Sequence, residues 1–290
     1  MSRSLRIWIT GANGQLGRAI LRQMKCQEEL YNVLTTDMDV DITNMDQVSR
    51  YASTTRPNVI INCAGMTDVA ACEKDMVMAY KVNALGARNV SAAAHMVDAK
   101  IIQMSTDDVF AGDRRDKLTE FDVTLPNTVY GKSKLAGETM VRELNPKHLV
   151  IRSAWMYGDG NNFMSQLLEK VKSGKEIRVA YDQVSTPTST DALARGILCL
   201  MESKEYGVYH ASCEGSCSRY DFAKKVLELT GNDATLLKPA LAEELSGGNR
   251  RPKYTILENL MMKMTEIYKM PLWEDDLEEY LEVRGMKNGR

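Results

Sequence analysis

The chain has 290 residues, 44% hydrophobic and 26% charged, which fits one large α/β unit or about two domains and excludes disordered and fibrous classes. Its 37 basic and 39 acidic residues leave a net charge of −2, so nothing marks a nucleic-acid or anionic-membrane partner. No run approaches the roughly 18 apolar residues of a membrane span, and six scattered cysteines read as reduced thiols in a cytoplasmic protein.

Taken in order, Met1 to Ser4 lacks the apolar run of a secretory signal and leads into a strand at Leu5 to Thr10. A glycine loop, Gly11 to Gly17, precedes a helix over Gln15 to Met24. Strands follow at Tyr31 to Thr36, Val59 to Ala64, Lys100 to Ser105 and His148 to Ser153. Between them lie a long helix, Asp75 to Val97, and another at Val129 to Leu144. Strands alternating with helices predict a doubly wound, Rossmann-like parallel sheet covered on both faces.

The second half predicts helices at Asn162 to Ser173, Asp191 to Met201 and Ser218 to Leu229, the last capped by Ser218. Strands are expected at Ile177 to Ala180 and Gly207 to Ser212. Pro239, Gly247-Gly248 and Pro252 break the chain before an acidic helix, Trp273 to Val283, and a frayed tail. Residues 1–155 with about 186–213 are assigned to a dinucleotide-binding domain. Residues 156–185 and 214–290 are assigned to a smaller C-terminal α/β substrate-binding lobe packed directly on the sheet. The methionines Met76, Met78, Met261 and Met262 read as core filling. The scattered histidines and the pair Cys213 and Cys217 do not make a metal set, so no metal is expected.

Three motifs carry chemistry. Gly11-Ala12-Asn13-Gly14-Gln15-Leu16-Gly17 lies between a strand and a helix, where glycines let the backbone approach a pyrophosphate at a helix N-terminus. Asp37, just past the second strand, stands where a carboxylate meets an adenosine ribose. Tyr130 and Lys134 share a helix face, so the ammonium is expected to lower the tyrosine pKa and make it a general acid or base. Ser105-Thr106-Asp107 ends a strand, where a hydroxyl can meet a reacting carbonyl. Each pattern alone also fits a tight turn, a surface pair or a strand cap.

Together, and with Asn62-Cys63-Ala64, Lys134-Leu135-Ala136-Gly137-Glu138, Gly160-Asn161-Asn162-Phe163 and Arg251-Pro252, the motifs resemble the extended short-chain dehydrogenase/reductase family over nearly the whole chain. Within it they are similar to the branch that reduces the C4 keto group of dTDP-4-dehydro-6-deoxy-L-mannose. The resemblance implies an oxidoreductase in which Tyr130 donates the proton, Lys134 orients the nicotinamide ribose and Thr106 binds the substrate carbonyl. It implies that Gly11, Asn13, Gly14, Gln15, Leu16 and Gly17 line the phosphates of NADPH or NADH, with Asp41 and Ile42 beside the adenine and Cys63, Ala64 and Gly65 along the cofactor. Ser105, Val69, Trp155, Asn162 and Arg251 are the further candidates for nucleotide-sugar contact. Asp37 favours NADH, since a carboxylate repels a 2′-phosphate, and Arg18 or Arg22 is expected to soften that repulsion.

The chain departs from the family pattern at Asp108, where tyrosine is usual, and at Cys63, Gly65, Asp68 and Ala70. These departures leave open a reductase or epimerase of another nucleotide sugar. The resemblance admits a homodimer. It also takes in a non-catalytic regulatory partner of methionine adenosyltransferase, against which the intact Thr106, Tyr130 and Lys134 argue.

Overall fold

The structure is a computed structural model describing residues 4–25, 29–245 and 251–288. Gly247-Gly248, the first three residues and Cys26 lie outside the described residues. Six parallel strands form the central sheet: β1 (Leu5–Thr10), β2 (Tyr31–Thr36), β3 (Val59–Asn62), β4 (Lys100–Thr106), β5 (His148–Ser153) and β6 (Gly207–His210). Their spatial order is β6-β5-β4-β3-β1-β2. The chain reverses direction between β1 and β3, and ligands in such sheets sit beyond the strand ends at that point.

Side-chain alternation divides the core into two layers. Ile9, Ile61, Ile102 and Leu149 stand in register on one face, and Trp8, Ile60 and Ile101 on the other. The first face is covered by α1 (Gln15–Lys25) and by a helix at Thr190–Glu202, through Leu16, Ile20, Leu193 and Ile197. The second is covered by helices at Met45–Thr55, Ala87–Met96 and Val129–Leu144, through Val48, Val90 and Val141. β3 and β4 are buried throughout, which accounts for the apolar stretches Val59-Ile60-Ile61 and Ile101-Ile102, while the polar Asn62 and Gln103 bond to each other across the two strands.

Helices Phe163–Val171, Arg219–Leu229 and Trp273–Val283 and a two-stranded ladder, Ile177–Ala180 with Leu237–Ala240, complete the second half. Met164, Leu167, Phe222 and Leu277 continue the first-face cluster without a break. The buried Asp276 carboxylate fastens the last helix to the rest. It accepts from the Tyr157 hydroxyl at 2.9 Å and from the Ser189 N–H and hydroxyl at 2.8 and 2.6 Å.

Several expectations need correction. The long helix predicted over 75–97 is a helix with a π turn at Lys81–Gly86, and such turns are frequent at functional sites. Met76, Val77 and Met78 are exposed on it rather than in the core. Pro239 does not break the chain; it sits inside a ladder of only two strands, whose outer edges need no proline N–H. The tail is docked as far as it is described: Arg284 pairs with Asp159 and Asp191, and the Asn288 N–H donates to the Leu229 carbonyl at 2.9 Å. No helix among the described residues is long and apolar enough to cross a membrane.

Candidate functional site

The glycine loop is shaped by close backbone approach. Gly11 has φ +63°, and a Cβ there would lie 2.7 Å from the Ala64 nitrogen. A Cβ on Gly17 would lie 2.6 Å from the Gly11 carbonyl oxygen and 2.7 Å from the Ala12 Cα. The Gly14 N–H donates to the Gly11 carbonyl at 3.0 Å, folding the loop over the start of α1. The first N–H groups of that turn have no helical carbonyl before them, and the small Gly11, Ala12 and Gly14 of the loop leave room for a pyrophosphate. Gly17→Ala is therefore expected to weaken NADPH binding at least about tenfold in a fluorescence titration, because backbone has to move. An unchanged Kd would remove the loop from the cofactor site.

Asp37 lies at the rim of this loop, where its Oδ2 accepts the Asn13 N–H at 3.0 Å. Asp41 is exposed, and its carboxylate is bonded to the Thr43 N–H and hydroxyl at 2.8 and 2.9 Å. Ile42 is buried under Gly86. The basic relief expected near Asp37 is not available from Arg22, which pairs with Asp159 and Asp191 at 2.8 Å each. The Arg18 guanidinium is tied to the Asn13 and Asp159 carbonyls.

Beyond β3, Cys63, Ala64 and Gly65 run between the glycine loop and the helix Val129–Leu144. A Cβ on Gly65 would lie 3.1 Å from Asn83 Oδ1 and 3.7 Å from the Lys134 ammonium nitrogen. Asn83, on the π turn and buried, holds this corner: its amide accepts the Met66 N–H at 2.9 Å and donates to the Met66 carbonyl at 2.9 Å and to the Ser133 hydroxyl at 3.0 Å. Val69 is buried at the start of a short helix capped by Asp68.

The reacting groups converge at the end of β4. Thr106 caps a turn over Asp107–Val109, accepting the Asp108 N–H at 3.1 Å. Its hydroxyl also lies toward the Tyr130 hydroxyl, where it works to lower that group's pKa. Thr128 caps the helix that carries Tyr130 and Lys134, and Glu73 accepts the Val129 N–H at 2.7 Å. Burial pushes the Lys134 pKa down to about 8, with Glu138 opposing that fall. Tyr130 runs against expectation. Burial, followed by the Asp108 charge, raises its pKa against the opposing pull of Thr106 and Arg251. The phenol is therefore held neutral, as a proton donor requires.

Two expected contacts are committed elsewhere. The Ser105 hydroxyl turns away from the site to donate to Glu138, which forms a buried ion pair with Arg152 at 2.7 Å. Asn162 is the N-cap of the helix Phe163–Val171, and its amide bonds to Ser165, to the Gly158 carbonyl at 2.6 Å and to Gln15 at 3.2 Å. Trp155 and Arg251 connect to the groups at the end of β4, the first through Arg219 and the second through its charge. Trp155 has φ +35°, a strained conformation for a bulky residue of the kind that clusters at ligand sites. Arg219, unmarked in the sequence, lies over its ring at 3.9 Å. Arg251 is exposed, and its charge opposes the rise that burial imposes on the pKa values of Asp107, Asp108 and Tyr130.

A profile of the RmlD substrate-binding domain matches residues 5–285. The chain belongs to the RmlD family. The RmlD match is supported by a solved dTDP-4-dehydrorhamnose reductase from Clostridium acetobutylicum, 45% identical with a TM-score of 0.94 over 97% of this chain and 100% of that one. A solved Bacillus anthracis dTDP-4-dehydrorhamnose reductase in complex with NADP is 39% identical with a TM-score of 0.94 over the same shares. The Bacillus subtilis spore coat polysaccharide biosynthesis protein SpsK is 34% identical over 97% of this chain and 98% of its own. RmlD-family membership makes the chain an NAD(P)-dependent nucleotide-sugar reductase.

Proposed function

We propose that the chain reduces the C4 keto group of dTDP-4-dehydro-6-deoxy-L-mannose to give dTDP-L-rhamnose, using NADH or NADPH. The observation that carries this reading is the convergence of Thr106, Tyr130 and Lys134 beside a loop fitted to a dinucleotide. When bound, the dinucleotide supplies the hydride. The hydroxyls of Thr106 and Tyr130 hold the keto oxygen, and Tyr130 gives its proton to the alkoxide as it forms. These donors serve the transition state most, because charge grows on that oxygen. Lys134 orients the nicotinamide ribose. The loop residues Gly11, Asn13, Gly14, Gln15, Leu16 and Gly17 hold the phosphates, with Asp37 at the adenosine ribose. A reductase of a different nucleotide sugar is the second reading, favoured by Asp108.

The test is oxidation of NADH and of NADPH followed with dTDP-4-dehydro-6-deoxy-L-mannose generated in situ. Turnover with formation of dTDP-L-rhamnose is expected, with the lower KM for NADH. Cofactor binding without turnover of this sugar would sink the assignment. The pH profile has a defined sign. The Lys134 pKa is lowered to about 8, so the ammonium is present below that pH and is lost as pH rises through it. kcat/KM is expected to fall on the alkaline side of about 8, and a flat profile to pH 10 would remove Lys134 from the chemistry.

A further inference from the structure

Asp108 is only 8% exposed, and among the described residues its Oδ2 has no hydrogen-bond partner. Its neighbour Asp107 is fully engaged, by Thr106 at 3.2 Å, by Ser185 at 3.4 Å and by the Thr255 hydroxyl. A carboxylate oxygen buried without a donor is costly, and it persists where a ligand completes it. The Asp108 main chain is pinned by the Thr106 hydroxyl on one side and packs against Gly131, next to Tyr130, on the other. Among the described residues, the charged and titratable groups acting on its carboxylate include Asp107, Tyr130, Arg219 and Arg251. Neither arginine donates to Oδ2.

On turning its proton from Asp107 to the substrate, Thr106 joins Tyr130 as a hydroxyl donor, and Asp108 beside them offers an acceptor. Two donors and one acceptor set side by side are complementary to a carbonyl with a hydroxyl on the adjacent carbon. We propose that Asp108 is a specificity residue of this site, whose Oδ2 accepts a hydrogen bond from the sugar hydroxyl next to the carbon that is reduced. This rests on the reductase reading above and deepens it. Burial and the Asp107 charge raise the Asp108 pKa to about 6, which leaves it mostly ionised, and an acceptor, at pH 7.

The test compares wild type with Asp108→Asn, and with Asp108→Ala as a second variant, in the presence of NADP+. Calorimetry measures dTDP-L-rhamnose and dTDP alone. Loss of a hydrogen bond to a charged acceptor is expected to weaken dTDP-L-rhamnose binding about tenfold or more. Affinity for dTDP is expected to stay within about twofold of wild type. Steady-state assays are expected to show the same change in KM for the keto sugar. Wild type that binds dTDP-L-rhamnose no better than dTDP overturns the reductase reading, and this proposal with it. Wild type that discriminates, with variants that discriminate equally, overturns the role of Asp108 alone. Variants that lose both ligands in parallel also overturn it, since Asp108 would then serve the fold of the pocket.

Discussion

Tyr130→Phe is expected to lower kcat by about 10²–10⁴-fold, with the NADPH dissociation constant within about threefold of wild type. The substitution removes one oxygen and leaves the ring that packs beside the turn over Asp107–Val109. What it removes is the proton. Burial and the carboxylates of Asp108 and Asp107 hold that proton on the phenol, so the wild-type site enters the reaction with a loaded donor and need not recruit one from water. Thr106 remains in the variant and, on the proposed reading, would still hold the keto oxygen, which is why residual turnover is expected rather than none. Stopped-flow single turnover separates this loss from product release. Turnover within tenfold of wild type would mean that another group delivers the proton, and Thr106 would then be the residue to replace.

The parts of the fold that could be read from sequence are those in which local pattern and burial agree. β3 and β4 are buried throughout and show it in the apolar stretches Val59-Ile60-Ile61 and Ile101-Ile102, and the glycine loop is explicit in its spacing. The helix Met45–Thr55 escaped because only Val48 and Ala52 are buried on it, which leaves almost no apolar period. Its one signal was the cap, Asn44, whose side chain accepts the Asp46 and Gln47 N–H groups. Arg219 escaped for a different reason. It follows a capping serine at the start of an ordinary helix, and only the fold carries it onto Trp155. Asn83 had a faint signal, as an amide at a position whose neighbours in the helix pattern are apolar. The direction of the Tyr130 shift was beyond the sequence altogether, since it depends on burial and on carboxylates supplied by another strand.

Glu138→Ala is expected to cost about 3–5 kcal/mol of stability, seen as a fall in Tm on the order of 10 °C. Glu138 and Arg152 have side chains only 1% and 4% exposed, joined through two hydrogen bonds at 3.0 and 2.7 Å. The guanidinium also lies 5.3 Å from the Phe110 ring centroid, and Ser105 donates to the same carboxylate. Removing the acid strands a buried cation between β4, β5 and the helix that carries Tyr130. Replacing both partners with apolar residues avoids that penalty, so Glu138→Leu with Arg152→Met is expected to recover most of the lost stability. Activity separates the two consequences. Glu138 is the largest opponent of the burial that lowers the Lys134 pKa. Without its charge, the ammonium is lost at a lower pH and the alkaline limb of kcat/KM moves down. The double variant is expected to fold well and still show that displaced limb. If it regained the wild-type pH profile along with its stability, the coupling between Glu138 and Lys134 would be refuted and Glu138 would serve the fold alone.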